Sequence, residues 1–390
     1  MKSWWQPQLR IGEETEAEQR RATWMELFYD LIYVVAVSQL AHNLYENISI
    51  TGFISFIALF VPVWWSWIGT TLYANRFDTD DLGHRLLTGV QILAIAALAV
   101  NIHYGLGKTA PGFALAYAAS RFVLVVEYAR AAKYIPIARP LASYYAKGFA
   151  IAVGLWFISA FIPTPWRFVF WGIAMPIDFA TPLTASKLQM GLVPHPEHLP
   201  ERFGLFTIIV LGEAMIAVVD GVAGQQWEVK SAIAAVFGFA IAFTLWWMYF
   251  ENIGSSAILA VRNEGNIRTF NTWLYTHLPL VIGIVTTGVA VEHVLLGDPN
   301  VALPTAERWL LCVGTILCLF ALGILHRTGV IKHCKIRSGY RMGAAAVVLL
   351  VAIVGEGLLP VVVIGIIALV CISQVIQDLY QSRAFAAFNT

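Results

Sequence analysis

Six side chains carry most of the chemistry this sequence offers: Glu26, Asp30, Gln39, Arg121, Glu213 and His277. Each falls inside, or at the edge of, a long apolar run. Glu26 and Asp30 are four apart, so on a helix they share one face. Two carboxylates so placed can hold one proton between them or bind a cation, because like charges oppose double ionisation. Glu26 stands near the start of its run, where it can instead cap a helix N-terminus. Further along, Ser38, Gln39, His42 and Asn43 continue a polar stripe that suits a cavity wall or a helix–helix seam.

Arg121 lies about nine residues into its run, or ~14 Å deep at about 1.5 Å per residue. Arginine stays protonated, so it requires a carboxylate, carbonyls or an anionic ligand. Glu127 is six positions on, nearly the opposite helix face, which leaves Glu213 and Asp30 as the expected partners. Glu213 lies about ten residues into its own run, ~15 Å deep, and follows Gly212, a residue that admits close approach of a backbone or ligand. It either joins two helices or carries a proton or cation. His277 precedes Pro279 by two positions. The proline frees a carbonyl and bends the helix, and the imidazole can relay protons or serve as a packing partner. Asp78, Asp80 and Asp81 with His84 and Arg85 form a charged loop, read as a solvated ion-pair network or a gate.

The elements that hold these groups follow from composition. Hydrophobic residues are 58% of the 390 and charged residues 13%, with mean hydropathy +0.70. A soluble domain carries roughly 25% charged residues, so this chain lacks a charged shell. Apolar runs long enough to cross a bilayer recur near 24–45, 52–75, 84–105, 112–131, 142–162, 166–181, 203–222, 230–251, 270–296, 306–326, 340–356 and 358–380. About twenty residues cross a core of roughly 30 Å. The expected fold is all-α and polytopic, with twelve transmembrane helices in two parallel six-helix halves: a tail over 1–23, a first half over 24–193 and a second over 194–390. The tail has no apolar segment or cleavage site of a signal peptide. With the N-terminus cytoplasmic, twenty of the 25 Lys and Arg residues fall on the cytoplasmic face, four on the other, and Arg121 within the membrane. That asymmetry obeys the positive-inside rule and places both termini inside. Trp64-Trp65-Ser66-Trp67 and Trp246-Trp247-Met248-Tyr249, each one span after a polar helix, suggest an internal repeat.

The segments Trp24–Gln39 (WMELFYDLIYVVAVSQ), Glu201–Glu213 (ERFGLFTIIVLGE) and Arg76–Arg85 (RFDTDDLGHR) resemble the bacterial low-temperature-requirement A family. The resemblance implies a multi-spanning bacterial inner-membrane protein linked by name to growth in the cold. It brings no reaction with it.

The net charge of +1 offers no basic face for nucleic acid. No phosphate-binding GxxxxGK[ST] loop, HExxH or GxSxG motif occurs, and the four cysteines show no metal spacing. No catalytic, metal or cofactor site is therefore expected. Ionisable groups near mid-membrane point to a proton- or cation-linked secondary transporter of a small molecule. The alternatives are a stress-related scaffold, whose buried charges only fix packing, and a lipid-modifying membrane enzyme. The bilayer is the one partner that composition demands.

Overall fold

The computed structural model describes residues 5–9, 22–77, 81–223, 229–251, 256–328 and 332–388. These residues are almost wholly helical, as the apolar runs require. The first six helices are α1 (Trp24–Glu46), α2 (Ile50–Arg76), α3 (Leu82–Val100), α4 (Ala110–Tyr134), α5 (Arg139–Ser159) and α6 (Trp166–Thr184). After the short α7 (Ser186–Gln189) come α8 (His198–Ala223), α9 (Val229–Phe250) and the short α10 (Ser256–Glu264). The chain ends with α11 (Ile267–Leu296), α12 (Thr305–Arg327), α13 (Lys332–Val354) and α14 (Pro360–Phe388).

Eleven helices among the described residues are long and apolar enough to cross a membrane. The expected sixth span is present as the 19-residue α6 but is not among those eleven. Many helices expose large apolar side chains, such as Phe28, Leu31 and Val35 on α1 or Leu93 on α3. Rows of that kind suit lipid rather than water.

Two compact units divide the chain: Met1–Leu40, Ile57–Phe203 and Ile258–Ile267 form one, and Ala41–Phe56, Gly204–Ala257 and Arg268–Thr390 the other. Within the first unit, α5 packs on α4 and on α6. Phe113, Tyr117, Trp156 and Trp171 join these helices, with the Trp156 and Trp171 ring centroids 4.7 Å apart. Trp64, Trp65 and Trp67 of α2 are buried. In the second unit, α12 packs on α13 and α9 on α14. There Gly288 of α11 meets Ala214 of α8, where an added Cβ would stand 2.7 Å from the Ala214 Cα. Trp246 is 41% exposed on α9, unlike its counterparts on α2. Cys312, Cys318 and Cys371 are free and buried, in keeping with cysteine as a small hydrophobe.

Helix ends follow local rules. Thr23 and Glu26 form a reciprocal capping box on α1: the Thr23 N–H donates to Glu26 Oε2 at 2.7 Å, and the Glu26 N–H to Thr23 Oγ1 at 3.2 Å. Asp81 caps α3 by accepting from the His84 N–H at 2.9 Å. Gly357, between α13 and α14, has φ +81°, a conformation that glycine adopts without penalty.

Candidate functional site

The first unit concentrates the buried polar groups. On α1, Glu26 and Asp30 are 5% and 2% exposed and point toward α8. There His198 and Arg202 repeat the four-residue spacing, so the two helices present matching rungs. Arg202 Nη2 donates to Asp30 Oδ1 at 2.7 Å, and the same oxygen accepts from the Trp67 indole N–H at 2.9 Å. His198 Nε2 lies 3.3 Å from Glu26 Oε2.

The proton on His198 can be placed by elimination. The His195 backbone N–H donates to Asn75 Oδ1 at 2.7 Å, which turns the Asn75 amide nitrogen toward His198 Nδ1 at 3.0 Å. An amide nitrogen only donates, so Nδ1 accepts and Nε2 carries the hydrogen offered to Glu26. A second proton on His198 would set two donors face to face, unless Asn75 turned over and released His195. The ladder is not saturated: among the described residues, Glu26 Oε1, Asp30 Oδ2 and Arg202 Nε and Nη1 are buried without a partner. Beside it runs a hydroxyl chain. Tyr29 and Tyr33 meet at 2.8 Å, Tyr33 reaches Ser66 at 3.0 Å, Tyr29 donates to Thr70 at 3.1 Å, and Gln91 donates to Thr70 at 2.7 Å.

Arg121 has the carboxylate that its depth requires, but the partner is neither Glu213 nor Asp30. It is Asp178 of α6, bound through Arg121 Nη2 to Oδ1. Tyr117 donates to the other oxygen, Oδ2, at 2.7 Å, and the guanidinium lies 4.5 Å from the Phe149 ring centroid. Gly69 of α2 makes the space: a Cβ there would stand 2.2 Å from Arg121 Nη1. Asp30 is unavailable because Arg202 holds it. Glu127 does face elsewhere, with Oε1 2.6 Å from His84 Nδ1. His84 is thus a buried ion-pair partner, while Arg85 is exposed. Asp81 pairs with Arg130 at 2.6 Å as well as capping α3. Asp78 and Asp80 lie outside the described residues.

The second unit holds the other expected positions. Glu213 is half-buried on α8, and its charge and that of Asp220 act on Glu292 of α11. Gly212 is exposed with nothing within 4 Å of an added Cβ, so it does not serve a close approach. The close approach falls two residues later, at Ala214 against Gly288. His277 is buried, its Nδ1 donating to the Trp273 carbonyl at 2.8 Å and its Nε2 3.1 Å from the Tyr249 hydroxyl. A carbonyl only accepts, so Nδ1 carries the hydrogen and Nε2 receives the tyrosine proton. Of the polar stripe, Gln39 is half-buried and joined to neither rung, and His42 is exposed, 3.3 Å from Glu46. Another buried carboxylate, Asp378 of α14, binds Arg341 and lies 3.5 Å from Arg337 Nε.

Sequence reasoning missed His198, Arg202 and Asp178. The first two stand before the apolar run that starts near 203, yet α8 begins at His198. Their four-residue spacing, equal to that of Glu26 and Asp30, was the available signal. Asp178 is the one acid in the apolar stretch 166–184, between Pro176 and Pro182.

The family model described as bacterial low temperature requirement A protein matches residues 21–376. An uncharacterized protein of Rhizobium meliloti (strain 1021) is 26% identical over 306 residues, covering 73% of this chain and 74% of its own length. No solved structure matches.

Proposed function

The chain belongs to the bacterial low temperature requirement A family, and we propose that it acts as a proton-linked secondary transporter of a small solute across the bacterial inner membrane. The observation that carries this reading is the two-rung ladder between α1 and α8. One rung, Asp30–Arg202, has a cation that cannot lose its proton at any accessible pH. The other, Glu26–His198, is built from two groups that can exchange protons. A proton arriving at the free Glu26 Oε1 removes the charge that holds both the His198 N–H and the α1 capping box. A proton arriving at His198 forces Asn75 to turn and free His195. Either event loosens α1 or the segment before α8, which is how protonation can be converted into movement.

Arg121 is read differently. It pairs with Asp178 through Nη2 and lies on the Phe149 ring, with Nε and Nη1 buried without a partner among the described residues, and this pair is assigned to holding α4 on α6. Glu213, with Asp220 and Glu292, is kept as a second carboxylate group of the coupling path. The reading retains two membrane halves with both termini cytoplasmic, in line with the asymmetry of the loop charges.

The test uses the purified chain in vesicles that enclose a pH-sensitive dye under an imposed pH gradient. Amino acids, carboxylates, sugars, Na⁺ and K⁺ are offered in turn. Wild type moves protons when its solute is supplied, and Glu26→Gln, expressed and folded to the same level, does not. Proton movement unchanged in Glu26→Gln would refute the assignment, and solute flux indifferent to pH would refute proton linkage.

A further inference from the structure

Arg76, the last residue of α2, is a buried cation with no acid paired to it among the described residues. It is 3% exposed. Its Nε donates to the Leu192 carbonyl at 3.0 Å, while Nη1 and Nη2 are buried and have no partner among the described residues. Guanidinium does not deprotonate, and a buried charge without a counterion is strongly unfavourable. Among the described residues, Glu127 is paired with His84 and Asp81 with Arg130. No carboxylate of the described chain answers Arg76.

Its surroundings have the composition of a binding site. Tyr73, Tyr128 and Tyr145 form a run of edge-on rings with centroids 5.1 Å apart at each step. The charge of Arg76 acts on both the Tyr128 and Tyr145 hydroxyls. The buried Tyr145 hydroxyl has beside it the Gln189 amide, itself donating to the Pro182 carbonyl. Phe77 and Leu192 close the apolar walls.

We propose that the free Nη1–Nη2 edge of Arg76, with the hydroxyls of Tyr128 and Tyr145 on which its charge acts, binds the carboxylate of a small organic anion, and that this anion is the transported solute. The first half stands on the geometry; the second rests on the transporter reading above. Two parallel N–H groups match two carboxylate oxygens. One cation and two neutral hydroxyls balance a single negative charge, whereas a phosphate dianion would bring a second charge and more oxygens than the aromatic walls can satisfy. The site also adjoins the protonatable rung. Asn75 and Arg76, neighbours on α2, hold the segment from Leu192 to His198 at three points: the Leu192 carbonyl, the His195 N–H and the His198 ring. An anion drawing Arg76 away from Leu192 pulls on the segment that positions His198 against Glu26. Carboxylate and proton are thereby linked through seven residues of chain.

Calorimetric titration of the purified full chain in lipid nanodiscs tests this, with acetate, pyruvate and benzoate as probes and inorganic phosphate as the contrast. At least one carboxylate should bind wild type. Arg76→Gln should weaken it on the order of tenfold or more, the loss of a charge-assisted pair. Tyr128→Phe and Tyr145→Phe should each weaken it about 3- to 10-fold, the loss of one hydrogen bond. If Arg76→Gln does not fold, Arg76→Lys takes its place, keeping the charge while losing the two-pronged edge, and should also weaken binding. No carboxylate binding by wild type, unchanged binding in the Arg76 variant, or phosphate bound as well as carboxylate each overturns the site. Carboxylate binding that depends on Arg76, together with vesicles that never move protons, keeps the site and removes the transporter. Glu26-dependent proton movement without Arg76-dependent binding does the reverse.

Discussion

Replacing Asp178 separates a structural ion pair from a functional one. Arg121 and Asp178 are 1% and 0% exposed at their side chains. Asp178 accepts on two different oxygens, Oδ1 from Arg121 and Oδ2 from Tyr117. Asparagine has one acceptor oxygen, so Asp178→Asn must turn its amide toward one of these donors and also leaves a guanidinium without a counterion. Removing one partner of a buried pair costs about 3–5 kcal/mol. Asp178→Leu removes both acceptors and should lie at the upper end of that range or beyond. If the cost is the stranded charge, it should vanish with the charge: Arg121→Met with Asp178→Leu should recover most of the loss. The Tyr117 hydroxyl then keeps only the weak Met175 Sδ acceptor at 3.8 Å, at a cost of up to about 1–3 kcal/mol, and Tyr117→Phe should return that. Equilibrium unfolding of the purified protein in mixed micelles, read by tryptophan fluorescence, measures all four variants. Stability of Asp178→Asn equal to wild type, or no recovery in the double variant, would show that Asp178 is not the countercharge of Arg121.

Gly69→Ala should be destabilising although the position is helical, because its Cβ would stand 2.2 Å from Arg121 Nη1; that side chain cannot retreat while held by Asp178 and Phe149. The same change in an Arg121→Met background should cost less, the contact left being Leu124 Cδ2 at 2.7 Å, and equal cost in both backgrounds would refute the steric account. Gly288→Ala places a Cβ 2.7 Å from a backbone atom of Ala214; forcing the two helices apart should cost about 1–3 kcal/mol in the same unfolding assay. Topology reporters fused after Lys335 should read cytoplasmic and those near Pro111 external, and a common side for both would break the span assignment.

Which parts of this molecule were legible follows from what a bilayer enforces. Apolar runs of about twenty residues have one stable form in lipid, because each backbone group must be satisfied within its own helix. The helices therefore follow from composition, and α1 even begins where Thr23 and Glu26 signal a capping box. Helix ends were less legible. The polar first turn of α8, from His198 to Arg202, reads as loop by hydropathy, yet its His198 and Arg202 side chains are buried against α1 and α2. Hydropathy measures what lipid tolerates, and says nothing of a polar turn sheltered by other helices.

The same blindness governed the pairing. A lone sequence shows that Arg121 needs an acid, since the need is a property of the residue; it does not show which acid, since that depends on how α4 meets α6. Proximity in depth favoured Glu213 and Asp30, but depth is shared by every helix and cannot choose among them. Spacing can. Two carboxylates four apart require, on a facing helix, two cationic or donor groups four apart, because both helices rise by the same amount per turn. Glu26 and Asp30 found that match in His198 and Arg202. Arg121 had no second member to set a register, so its partner was fixed by packing alone: Gly69 opened the space and Tyr117 aligned Asp178. Paired charges in a membrane chain thus carry their register in the sequence, and single charges do not.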